Sequence, residues 1–166
     1  MINARRLQFC QWALQQLDAT VLMSAKGDFW VDPRGQVQRL GIGDQPVFDC
    51  SGLVTCAIRA VIGKDHRDTH NAQRLWDEMP AVTEPEPGDL GFFGSDAKNV
   101  IHVVISLSGG HVLSADGATR AVSTLAGARA RGAKVRVHQR VEFYRSAPFL
   151  GWKRNTYLDK SEDVTK

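Results

Sequence analysis

The sequence holds no apolar run near the roughly 18 to 20 residues that a bilayer-spanning helix needs, so membrane insertion is not expected. Cysteine is scarce. Cys10, Cys50 and Cys56 are too few and odd in number for a disulfide framework, and suit free thiols in a reducing compartment. An excess of one charge is lacking too: 21 Lys and Arg against 18 Asp and Glu leave a formal +3. That balance excludes a nucleic-acid-binding signature but allows weak attraction to an anionic polymer. Repeats and low-complexity tracts are also lacking. The opening Met-Ile-Asn-Ala-Arg-Arg leads into an amphipathic pattern rather than a secretory apolar core. No signal peptide is therefore expected, and synthesis is expected in the cytoplasm with export by another route. What remains is an ordinary globular composition, 43% hydrophobic and 23% charged over 166 residues. It fits a single domain over 1–159 with a polar tail over 160–166, and a monomer is expected.

Leu7, Cys10, Leu14 and Leu17 recur at helical spacing, which predicts a first helix over 4–17 with Cys10 as a small buried hydrophobe. Residues 24–47 are dense in Gly, Asp and Pro and read as a long loop of the kind that borders a functional cleft. Leu53, Val54, Ala57, Ile58 and Val61 share one helical face and Gly63 is a natural stop, so a second helix is expected over about 50–62. Thr69 is the expected cap of a short helix over 70–78. Strands are expected at Leu90-Gly91-Phe92-Phe93, at 100–107, at 111–115 across a Gly109-Gly110 hairpin, and over 134–144, with a helical turn around 121–131. Along that last strand Val135, Val137, Val141 and Phe143 alternate with Arg136, His138, Arg140 and Tyr144. Helices first and an antiparallel sheet afterwards make the fold class α+β.

The chemistry centres on Phe48-Asp49-Cys50-Ser51-Gly52. Cys50 stands at the start of the expected second helix, where free N–H groups and the macrodipole favour a thiolate over a thiol of ordinary pKa about 8.5. The same N–H groups can donate to the oxyanion of a tetrahedral intermediate. Cys50 is thus expected to be ionised near neutral pH, whereas Cys56, between Thr55 and Ala57, is expected to serve packing. Among five histidines, His102 lies in the most apolar strand; with a nucleophile upstream it is the candidate base. A third group must hold the imidazole. Ser114, across the hairpin, is the natural candidate, with Asp116 and His111 as competitors. His138 reads as a solvated surface residue between arginines. His66 and His70 have helical i, i+4 spacing, but Arg67 lies between them and no closing pair has standard spacing, so no metal is expected.

Three blocks then carry a resemblance: Phe48-Asp49-Cys50-Ser51-Gly52-Leu53-Val54, Pro87-Gly88-Asp89-Leu90-Gly91-Phe92-Phe93 and His102-Val103-Val104-Ile105. In this order and at these separations they resemble the NlpC-type family of cell-wall cysteine peptidases, over roughly residues 4–115. The resemblance implies a papain-like fold with N-terminal helices packed on an antiparallel sheet. It also implies hydrolysis of amide bonds in peptidoglycan stem peptides, commonly between D-γ-glutamate and meso-diaminopimelate. Carried over by position, Cys50 is the nucleophile and His102 the base. Asp49 and Ser51 match positions that in relatives help to bind the free amine end of the stem peptide. No cofactor is implied. Two positions depart from the pattern. The tyrosine and Trp-Gly-Gly that many relatives carry before the cysteine are replaced by Thr20-Val21-Leu22-Met23-Ser24-Ala25-Lys26-Gly27. The third position, commonly His, Asn or Gln, falls on Ser114.

Ser114-Ala115-Asp116-Gly117 and Tyr144-Arg145 through Gly151-Trp152 look like versions found in bacteriophage and prophage members. These act as endolysins or virion-associated wall peptidases, in the cell wall or periplasm. Two alternatives stand beside that reading. One is a catalytically weak or inactive phage tail or virion protein using the same fold; the other is a cysteine hydrolase or acyl transferase acting on another amide.

Overall fold

The structure, a computed structural model, describes residues 2–159; the polar tail expected over 160–166 lies outside the described residues. Helix α1 (Ala4–Leu14) begins where the Asn3 side chain accepts from the Arg6 N–H. Four short strands follow: β1 (Lys26–Gly27), β2 (Phe29–Val31), β3 (Val37–Arg39) and β4 (Val47–Phe48). They pair as β1 with β4 and β2 with β3, so the expected long loop carries two small ribbons. Helix α2 (Cys50–Ile62) is capped by Asp49 and closes on Gly63 at φ 75, the left-handed C-cap that glycine adopts without strain. Helix α3 (Ala72–Glu78) is capped by Asn71 rather than by Thr69.

The rest of the chain builds the sheet: β5 (Ala81–Val82), β6 (Leu90–Gly94), β7 (Val100–Ser106), β8 (Val112–Asp116), helix α4 (Leu125–Ala130), β9 (Lys134–His138) and β10 (Phe149–Lys153). Its six strands run in the order β5-β10-β6-β7-β8-β9, each antiparallel to its neighbours. The architecture is α+β and papain-like, as expected. Strand β10, between β5 and β6, was not foreseen. Its Phe-Leu-Gly-Trp-Lys lacks alternation, and only tertiary pairing makes it extended.

Two apolar clusters flank the sheet. The larger joins Phe9 and Ala13 of α1, Val54, Ala57 and Ile58 of α2, and Phe92, Ile105 and Leu113 of the sheet. The smaller holds Phe93, Val104 and Val112 under Phe143, Tyr144 and Trp152. Two expectations about faces fail. In α1 the buried side is Arg6, Phe9, Cys10 and Ala13, while Leu7 is 46% exposed. The face is rotated because Arg6, 1% exposed, is drawn inward by Asp89 at 2.8 Å and Asp159 at 2.9 Å. In β9 only Val135 is buried. Val137 is exposed, and the strand ends at His138, because residues 141–143 turn into a single 3-10 turn that folds over the second cluster.

Candidate active site

A cavity of about 480 Å³ opens at the start of α2, bordered by Asp49, Cys50, Ser51, His102, Asp116 and Tyr144. Local chemistry fixes the cysteine end. Asp49 Oδ1 accepts from the Gly52 N–H at 2.5 Å, tying the first turn to its cap. The chain crosses so closely there that a Cβ on Gly52 would stand 2.1 Å from the Ala25 carbonyl oxygen. Only glycine fits, and the junction that presents Cys50 depends on it.

His102 comes from β7 and is 6% exposed. Its Nε2 lies 2.9 Å from Ser114 Oγ on β8. Ser114 in turn donates to Asp116 Oδ1 at 2.5 Å, and Asp116 Oδ2 lies 2.5 Å from His138 Nε2. These partners set the direction of the whole chain. An ionised carboxylate only accepts, so the single Ser114 proton is spent on Asp116 and the Ser114 oxygen must accept from His102. Nε2 therefore carries the proton, and Nδ1 is the nitrogen left with a lone pair. Two stacked rings hold the arrangement in place: Tyr144 lies parallel to His102 at 4.4 Å and Phe143 parallel to His138 at 3.6 Å.

Burial dominates the proton affinities. It pushes the Cys50 thiol up to about 11, with Asp49 adding to the rise, while the Val103 N–H, Lys26 and the Ser51 N–H act against it. Cys50 as a residue is partly buried and borders the cavity. His102 is pushed down to about 4 by the same loss of solvent. The charge of Asp116 opposes that fall and His138 adds to it. Both shifts favour the uncharged pair. The expectation of a thiolate at neutral pH is thus corrected: helix-start donors are present, but desolvation outweighs them. Cys10 and Cys56 are buried, with thiols pushed up to about 11 and about 12.

The structure brings Cys50, His102 and Ser114 to one site, with Asp116 behind Ser114. His111 stays at the exposed hairpin, where its Nδ1 meets the Ser108 carbonyl at 3.1 Å. His138, expected at the solvated surface, instead packs against Phe143 and binds Asp116. Asp49 and Ser51 border the cavity, but their polar atoms are engaged: Lys26 Nζ donates to Asp49 Oδ1 at 2.9 Å, to Asp49 Oδ2 at 3.0 Å and to Ser51 Oγ at 2.8 Å. His66 and His70 lie apart from the cavity, with His70 bonded to Glu78 at 2.9 Å. Among the described residues no group of three or more His, Cys, Asp or Glu is placed to hold a metal ion. Sequence reasoning missed Lys26 and misread His138. It placed Tyr144 on the polar side of the last expected strand and in a family-like ending, not at the site. Tyr144 supplies an aromatic ring beside the site although the family's usual tyrosine is absent.

Residues 35–139 match the family model described as the NlpC/P60 family. The chain belongs to that family. Solved NlpC/P60 structures share its fold at low identity. The NlpC/p60 domain of peptidoglycan hydrolase SagA is 21% identical at a TM-score of 0.52, over 89% of this chain and 97% of that one. A P60 domain of an antigen from M. avium paratuberculosis is 17% identical at 0.58, over 90% of each. RipD from Mycobacterium tuberculosis, described as a non-catalytic NlpC/p60 domain protein adapted to peptidoglycan binding, is 19% identical at 0.58, over 92% of this chain and 97% of its own. No curated protein matches the chain. The fold is thus that of NlpC/P60 peptidoglycan hydrolases, a family that includes non-catalytic members.

Proposed function

We propose that this NlpC/P60 protein is a peptidoglycan endopeptidase in which Cys50 is the nucleophile, His102 the base and Ser114 the group that orients the base. The observation that carries the reading is the bond from His102 to Ser114, which commits Nε2–H and leaves the lone pair on Nδ1 of a residue that borders the same cavity as Cys50. Because the resting pair is neutral, the thiol proton passes to His102 Nδ1 as sulfur attacks the scissile carbonyl carbon. Backbone N–H groups at the start of α2 stabilise the oxyanion. The imidazolium then gives its proton to the leaving amine. Water, deprotonated by the same nitrogen, hydrolyses the thioester and restores the thiol. Asp49 and Ser51 form the neighbouring subsite, which meets the amine end of the stem peptide.

The proposed scissile bond joins D-γ-glutamate to meso-diaminopimelate. The Ser114-to-Gly117 and Tyr144-to-Trp152 segments support a phage-type role, endolysin-like or virion-associated. A zymogram on purified peptidoglycan tests the activity, with clearing by the protein and none by a folded Cys50→Ala variant as the expected result. Failure of the folded protein to clear would instead favour the non-catalytic reading, which the serine at the third position also favours. Mass spectrometry of the released fragments identifies the bond. A different cleaved amide would overturn the substrate assignment.

A further inference from the structure

We infer that Lys26 acts as a built-in ammonium that fills the amine subsite, so that the site takes stem peptides whose amine end is acylated rather than free. The inference rests on the proposed function for the kind of substrate, and on three observations for the blockade.

The first is donor and acceptor saturation. An ammonium group has three protons. Lys26 Nζ directs its bonds to Asp49 Oδ1, Asp49 Oδ2 and Ser51 Oγ, the same set of acceptors that would receive a substrate ammonium. Asp49 Oδ1 also accepts from Gly52 N–H and from Ser51 Oγ, so little acceptor capacity is left. The second is charge. The Asp49 carboxylate is already balanced by Lys26, whose side chain is 13% exposed, and a second cation would meet like charge in a poorly solvated place. The third is backbone anchoring. Lys26 pairs with Phe48 across β1 and β4, and the Asp49 N–H donates to the Ala25 carbonyl at 2.8 Å. The strand register therefore delivers the ammonium to the residue that follows Phe48. A neutral amide end avoids the repulsion, as in a stem peptide still held in its amide linkage.

The test uses two synthetic peptides, L-Ala-γ-D-Glu-meso-diaminopimelate with a free amine and the same peptide N-acetylated. Binding to the Cys50→Ala protein is measured by calorimetry, so the readout is independent of hydrolysis. The acetylated peptide is expected to bind at least tenfold more tightly than the free amine, with the preference reversed by adding Lys26→Met. The comparison of the two peptides in the Cys50→Ala protein stands even if adding Lys26→Met prevents folding. Equal binding, tighter binding of the free amine, or no binding of either peptide overturns the inference. If the acetylated preference appears while the wild-type protein leaves both peptides uncut, the endopeptidase reading fails and the assignment of Lys26 holds.

Discussion

If Asp116 acts on His102 through Ser114, removing Ser114 should make Asp116 almost irrelevant. Ser114→Ala deletes the acceptor of the His102 Nε2–H inside a site where Ser114 is fully buried and His102 nearly so. An orphaned buried donor costs about 1–3 kcal/mol. At about 1.4 kcal/mol per factor of ten, that predicts a kcat loss of roughly 5- to 150-fold. Asp116→Ala is milder. The Ser114 hydroxyl loses its acceptor and is free to turn its proton toward Nε2, which favours the tautomer with its proton on Nδ1 and weakens the base. The loss of one hydrogen bond, about 0.5–1.5 kcal/mol, predicts roughly 2- to 10-fold. His138 also loses its partner, but it is 24% exposed and can turn to water. The double variant should then resemble Ser114→Ala alone, with a coupling of about 0.5–1.5 kcal/mol.

Hydrolysis of a synthetic stem peptide, with kcat and KM measured separately for the four proteins, completes the cycle; KM should change little. The pH profile distinguishes positioning from mere packing. The Asp116 charge raises the proton affinity of His102. Its removal should therefore move the acidic limb of activity, governed by a group near 4 in the resting protein, to still lower pH. Asp116→Asn keeps an oxygen to accept from Ser114, so it should retain most of kcat while showing the same shift. Additive losses would refute the serial arrangement. A larger loss from Asp116→Ala than from Ser114→Ala would transfer the orienting role to Asp116.

Three further outcomes follow from the geometry. With the Cys50 thiol pushed up to about 11, the thiolate at pH 7 is about one part in ten thousand, so iodoacetamide labelling of Cys50, followed by mass spectrometry, should rise about tenfold per pH unit well beyond pH 8.5. A plateau near neutral pH would show a preformed ion pair instead. Gly52→Ala should abolish activity and lower thermal stability, since its Cβ would meet the Ala25 carbonyl oxygen at 2.1 Å and force the cap and Cys50 apart; unchanged melting would contradict the packing of that junction. Arg6→Ala should cost about 3–5 kcal/mol in denaturant unfolding, because it removes the 2.8 Å partner of fully buried Asp89. A loss below 1 kcal/mol would mean that Arg154, 3.1 Å from the other Asp89 oxygen, suffices alone.

Local signals made α2 legible: an apolar stripe, a capping Asp49 and a terminal Gly63 all agree with the helix that forms. The β7–β8 hairpin was legible for the same reason, and with it the proximity of Ser114 to His102, since register follows once the turn is placed. What escaped reading depends on partners distant in sequence. Arg6 looks like a surface charge until Asp89 and Asp159 arrive, and its burial turns the face of α1 away from Leu7. His138 alternates with arginines, yet Asp116, 22 residues earlier, claims it. The proton affinity of Cys50 failed for a different reason. Helix-start donors can be inferred from spacing, whereas the enclosure of the sulfur depends on the cavity walls brought together by the whole fold.

The serine at the third position gains its meaning from that same long-range arrangement. A lone hydroxyl is a poor orienter, because its proton can point toward the imidazole as readily as away from it. Asp116 removes the choice by accepting that proton, and His138 holds Asp116 in place from the other side. In the proposed mechanism, the work that one amide or imidazole commonly does in the family falls to three residues on β8 and β9. A loss of function at Ser114 would therefore be expected to propagate no further, whereas a loss at His138 would be felt only through the orientation of Asp116. The order of effects along the chain, greatest at Ser114 and least at His138, is what distinguishes a serial device from three independent contacts.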